Sequence, residues 1–166
     1  MSISYLKRGL WFVLLMLLQV LVLNHIHIGG YATPFVYVYF ILVLNRDVNR
    51  NTLLLWGFFL GLVADIFSNT PGMNAAATTL LAFMRPSLMA LFVPRDSNDD
   101  WEPGVRSMGI SSFLGYALLS VLLHHVVLLV IETFSFFDWV TLLLKVLYST
   151  LLTTVCVMAL ESCRRK

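Results

Sequence analysis

The sequence predicts an all-α integral membrane protein built from six short transmembrane helices, and three observations carry that prediction. Of its 166 residues, 59% are hydrophobic and only 12% are charged, against about 25% charged in an ordinary soluble domain. Mean hydropathy is +0.85, and the apolar residues lie in long runs rather than alternating along amphipathic elements. Finally, every Lys and Arg outside those runs falls in alternate links.

The first span is expected at about 10–28, opening "LWFVLLMLLQVLVL". Its apolar run follows Lys7 and Arg8, and the "NHIHIGGYATP" beyond it lacks a small-residue cleavage site, so it reads as a retained span. The second, about 34–44, is "PFVYVYFILVL". It is too short for a standard bilayer and reads as a short span or a re-entrant element begun by Pro34. Spans three to six are expected at about 53–68, 74–93, 106–132 and 138–160, which makes residues 1–166 one polytopic membrane domain.

With six spans, Lys7, Arg8, Arg46, Arg50, Arg95, Arg106, Arg164, Arg165 and Lys166 fall on one side or at its edge, while "NHIHIGGYAT", "SNTPGM" and "TFSFFD" carry no Lys or Arg. The positive-inside rule then puts both termini in the cytoplasm. Losing a span scatters the cations. The links are short and hold no extramembrane domain.

The stretch "GFFLGLVADIFSNTPG" sets one acid, Asp65, in an apolar run. In lipid that carboxylate costs roughly 2.5–3.5 kcal/mol at a helix centre. Gly57, Gly61 and Asp65 recur every four residues, so they share one helical face. Glycines in that register admit a close neighbouring helix. Pro71-Gly72 then turns the chain, Asn74 is a fair N-cap, and Ala75, Ala76, Ala77 and Thr78 offer a second small-residue surface. The expectation is a tight hairpin of spans three and four with Asp65 facing protein. An intramembrane ion pair of Asp65 with Arg85, on the adjacent span, or with Lys145 on the last span is the expected partnership. Such a pair fixes register more than it stabilises.

Other chemistry finds little support. His124 and His125 point about 100° apart on a helix, which suits a hydrogen-bonded structural pair better than a metal site. An intramembrane aspartyl protease needs two acids at depth, and only Asp65 lies there. No nucleophile elbow, HExxH helix or P-loop occurs. The acidic link 94–104 lacks calcium-loop spacing. Cys156 and Cys163, seven residues apart on one helix, are too far apart for a disulfide. No catalytic residue, metal, cofactor or nucleic-acid partner is expected.

The pattern Gly57-x3-Gly61-x3-Asp65-x6-Gly72, followed by a small-residue helix start, resembles the core motif of the rod-shape-determining membrane protein family MreD. Length, six short hydrophobic segments, Pro34 opening the second and a basic tail extend the likeness. The resemblance implies a non-enzymatic scaffold of the bacterial cell-elongation machinery in the inner membrane. Its implied partners are MreC, the actin homologue MreB, the glycosyltransferase RodA, a class B penicillin-binding transpeptidase and membrane lipids. It also implies a fold like the six-helix substrate-binding subunits of energy-coupling-factor vitamin transporters. Such a transporter subunit is the alternative, with Asn24, Tyr31, Asn74, His125 and Glu132 as candidate pocket residues.

Overall fold

The computed structural model describes residues 2–25, 33–93, 101–133 and 139–164, with the backbone alone for 2–7 and 25. Among these residues the chain is all-helical, with no strand. The helices are α1 (Ser2–Leu21), α2 (Tyr39–Val43), α3 (Arg50–Ser68), α4 (Met73–Ala90), α5 (Val105–Met108), α6 (Ile110–Thr133) and α7 (Trp139–Arg164). Two 3₁₀ turns, Leu23–His25 and Val36–Val38, complete the order. Helices α3, α6 and α7 are long and apolar enough to cross a membrane.

Helix α6 displays the physical signature of that environment. Phe113, Tyr116, Ala117, Ser120, Val121, His124 and Leu128 repeat at helical spacing and are buried. The opposite stripe, Leu114, Leu118, Leu122 and Val126, is equally apolar yet exposed. A helix greasy on both faces, with polar residues turned inward, is built for a nonpolar surround. Helix α3 follows the same rule: Leu53, Gly57, Leu60, Gly61, Ala64 and Asp65 face inward, while Leu55, Phe58, Phe59, Ile66 and Phe67 face out.

The second expected span, read as a short span or a re-entrant element, is the least regular of the described segments. Residues 36–43 form a 3₁₀ turn followed by five α-helical residues, and Val36 to Leu42 are almost wholly buried. The segment is threaded through the middle of the molecule, with its Thr33 and Phe35 amides reaching Ser149 and Thr153 of α7. Ser149 lies about 15 Å along α7 from Trp139. Pro34 supplies no amide hydrogen, and the β-branched and aromatic residues after it find neighbours on every side. Tertiary burial here replaces the amphipathic stripe that would make a regular helix.

Other boundaries move by local geometry. The expected span 106–132 is broken at Gly109, whose φ of 82° ends α5 before α6 begins. Helix α7 runs to Arg164, and α4 passes through Pro86 without stopping.

Apart from Lys145, the described cations gather toward one end. Arg46 joins Trp101 through its backbone amide, Glu161 accepts from Tyr39 and Val105, and Arg164 bridges Glu102 at 3.1 Å. Arg8 and Arg50 stand at the same end because α1 runs parallel to α3, with Phe12 on Trp56 and Asn24 on Ser68. Arg95, Arg165, Lys166 and the side chain of Lys7 lie outside the described residues, as do His27, Tyr31, Asp96, Asp99, Asp100 and Asp138 and the side chain of His25.

Candidate functional site: the buried polar spine

Close approach comes first. A Cβ on Gly57 would lie 2.8 Å from Ala82 Cβ and 2.9 Å from the Thr78 carbonyl oxygen. One on Gly61 would lie 2.5 Å from Ala75 Cα and would also collide with the Thr78 hydroxyl and the Asn74 carbonyl. Only hydrogen fits at either position. The Thr78 hydroxyl exploits the proximity by reaching the Gly57 carbonyl at 2.7 Å.

That approach carries Asp65 to the start of α4. Its Oδ1 accepts from the Asn74 amide at 2.9 Å, the Asn74 side-chain amide at 3.0 Å and the Thr70 hydroxyl at 2.9 Å. Its Oδ2 accepts from the Ala75 amide at 2.9 Å. Two of the amides that an α-helix leaves without internal partners are thereby satisfied by a side chain from the preceding helix. The negative charge also faces the positive end of the α4 dipole. The backbone carbonyl of Asp65 accepts the Asn69 and Thr70 amides, with Asn69 in the left-handed region. Gly72, at φ 83°, completes the turn. The sequence expectation that Asn74 itself caps α4 is corrected: Gly72 holds the N-cap position, and Asn74 lies within the helix.

The expected ion pair is corrected as well. Among the described residues no salt bridge joins Asp65 to Arg85 or Lys145. Arg85, 1% exposed, donates instead to the Leu42 and Leu44 carbonyls. Tyr116 donates to the same Leu42 carbonyl at 3.3 Å. The reason is topological. The short second element ends inside the protein, its last carbonyls lack helical partners, and unpaired carbonyls in a nonpolar surround each cost several kcal/mol. A forked guanidinium with several donors meets that need. Lys145 lines a cavity near Thr70 and Asn74 at the opposite end.

The other end of the second element is held by Gln19, which sequence reasoning passed over. Its Oε1 accepts the Val36 amide at 2.8 Å, while its Nε2 donates to the Pro34 carbonyl and to Asn24, each at 2.9 Å. The available signal was a lone Gln in the run "LLQVLVL" shortly before a proline-opened segment. Glu161 was also passed over; it is 4% exposed and bonds the Tyr39 hydroxyl at 2.5 Å.

Between these ends the polar chain from Asp65 and Asn74 continues to Tyr37 and His124. The Tyr37 hydroxyl donates to Asn74 Oδ1 at 2.7 Å and meets His124 Nε2 at 3.1 Å. Because the tyrosine proton goes to Asn74, His124 Nε2 is the donor, and its buried Nδ1 has no partner among the described residues. His125 points elsewhere: Nδ1 donates to the Val121 carbonyl at 2.8 Å and Nε2 faces the Thr153 hydroxyl at 3.4 Å. Thr153 also accepts the Phe35 amide at 3.1 Å. The histidines thus serve different partners, His124 the Tyr37 hydroxyl of the second element and His125 the Val121 carbonyl of α6 and Thr153 of α7.

At the end opposite the arginines lies a cavity of about 490 Å³, lined in part by Asn24, Thr70, Asn74, Glu132, Lys145 and Ser149. His125 is not on its wall, and Tyr31 lies outside the described residues.

Fold and site together define a class: an all-helical chain of membrane character whose short central element is held by buried polar side chains from α1, α4, α6 and α7. Comparison with protein-family profiles, with curated proteins and with solved structures returned no match.

Proposed function

We propose that this chain is a non-enzymatic scaffold subunit of the bacterial cell-elongation machinery, crossing the inner membrane six times with its basic end in the cytoplasm. The observation that carries the reading is the joint role of Gly57, Gly61, Asp65 and Gly72. These are the positions of the MreD-like motif, and each one closes the α3–α4 hairpin: close contact, helix cap and turn. A motif devoted to holding two helices in register is what a scaffold requires. MreC is the proposed direct partner, with MreB, RodA and a class B penicillin-binding transpeptidase reached through the assembly. Apolar outward faces such as Leu143, Leu147, Leu151 and Val155 of α7 offer lateral contact area.

A second reading, the substrate-binding subunit of a vitamin-type transporter, is favoured by the polar cavity of about 490 Å³. Its size falls within the usual range for small-molecule sites. Gentle detergent purification from the native host, followed by mass spectrometry of all that accompanies the chain, separates the two. A single-span periplasmic partner with wall-synthesis enzymes supports the scaffold. An ATPase module or a stoichiometric small molecule overturns it in favour of transport.

A further inference from the structure

We propose that the basic end carries a site for the phosphate headgroup of an anionic phospholipid, between the start of α3 and the end of α4. A cavity of about 450 Å³ lies there, and among the described residues its wall carries Arg46, Arg50 and Arg85 against one acid, Asp47. Leu53, Met89 and Val93 supply an apolar side. A charged mouth beside an apolar wall matches a lipid, whose headgroup and acyl chain need both.

Three further features point to an anion. Arg85 is fully buried, and among the described residues no carboxylate neutralises it; its Nε has no hydrogen-bond acceptor. Carbonyl dipoles satisfy part of the guanidinium, but a net charge buried without a counter-ion is costly, and an anion nearby relieves that cost. The N-terminus of α3 opens at Arg50 with no side-chain cap from Asn49, so its amide dipoles favour negative charge. The Arg50 guanidinium is held 4.3 Å over the Phe83 ring, which keeps it beside the cavity rather than free in solvent.

Occupancy by a lipid, rather than by free phosphate, follows from the setting. The cavity adjoins the ends of helices whose outward faces are apolar, so lipid headgroups are the anions present at high local concentration. The chain's own Asp96, Asp99 and Asp100, close by in sequence, are the competing anions.

Native mass spectrometry of the full chain tests this, using phosphatidylglycerol, phosphatidylcholine and inorganic phosphate as probes. Phosphatidylglycerol is expected to remain bound after phosphatidylcholine is stripped. Arg46→Gln with Arg50→Gln, both outside the core, should weaken its retention about thirtyfold at about one basic-residue contribution each. Asp47→Asn should strengthen retention about fivefold on the same scale, a gain that misfolding cannot mimic. Equal retention of the two lipids, or no effect of the arginine changes, overturns the proposal. Binding of inorganic phosphate as tight as that of the lipid overturns the lipid assignment. Retention seen only after Asp96→Asn, Asp99→Asn and Asp100→Asn would give the site to the chain's own carboxylates and overturn it too.

Discussion

Asp65 is the residue on which the hairpin turns, and its surroundings distinguish a cap from an ion pair. Asn at position 65 can keep its oxygen toward Asn74, but its amide group then meets the Ala75 amide, donor against donor. Asp65→Asn is therefore expected to cost about 1–3 kcal/mol. Asp65→Ala strands both α4 amides and the Thr70 hydroxyl and should cost more. Apparent Tm in detergent should fall in the order wild type, Asn, Ala; equal values for all three would refute the capping role. The same geometry predicts near-additivity of Asp65→Asn and Arg85→Lys. A double-mutant cycle should give coupling below about 0.5 kcal/mol, as for sites without shared partners. A coupling of several kcal/mol would restore the ion pair. The acid in an apolar run was legible as a group facing protein at a helix–helix contact; its partners were not. Helical spacing sets the face on which Asp65 lies, whereas its partners depend on where the α3–α4 turn delivers the amides of α4.

At the scale of the element, glycine positions are separable by what surrounds them. Gly61→Ala should destabilise more than Gly57→Ala, each in the range of about 1–3 kcal/mol typical of overpacking. At Gly9 a Cβ would meet nothing within 4 Å. Gly9→Ala should be neutral or gain up to about 1 kcal/mol from helix propensity. Thermal denaturation of the three variants checks the ranking, and a costly Gly9→Ala would undermine it. The second element makes a further prediction. Gln19→Leu removes the acceptor for the Val36 amide and the donor to Pro34, so hydrogen exchange at residues 36–39 should accelerate ahead of global unfolding. Unchanged protection there would mean the burial of Val36 to Leu42 suffices without the cap. That element was the least legible part of the chain. Its composition is apolar on every side, and such a run has no periodicity from which to read helix, strand or break.

For the whole molecule, the arrangement predicts opposite ends with opposite accessibility. Helix α7 spans about 39 Å from Trp139 to Arg164, enough to cross a bilayer. In a Cys156→Ser background, Cys163 and a cysteine introduced as Glu132→Cys should react with an impermeant maleimide from opposite faces of sealed vesicles. Reaction from one face alone would remove α7 as a crossing. Membrane character, the helical class, the approximate ends of α3 and α4 and the hairpin between them were determined by the sequence alone, because hydropathy, four-residue spacing and Pro-Gly turn chemistry are local properties. Which side chain meets which was decided only by tertiary structure. Arg85 and Gln19 turned from expected charge and unremarked amide into the two holders of a central element. A broken segment at depth must find its hydrogen-bond partners from other helices, and only the packing of those helices determines which residues arrive.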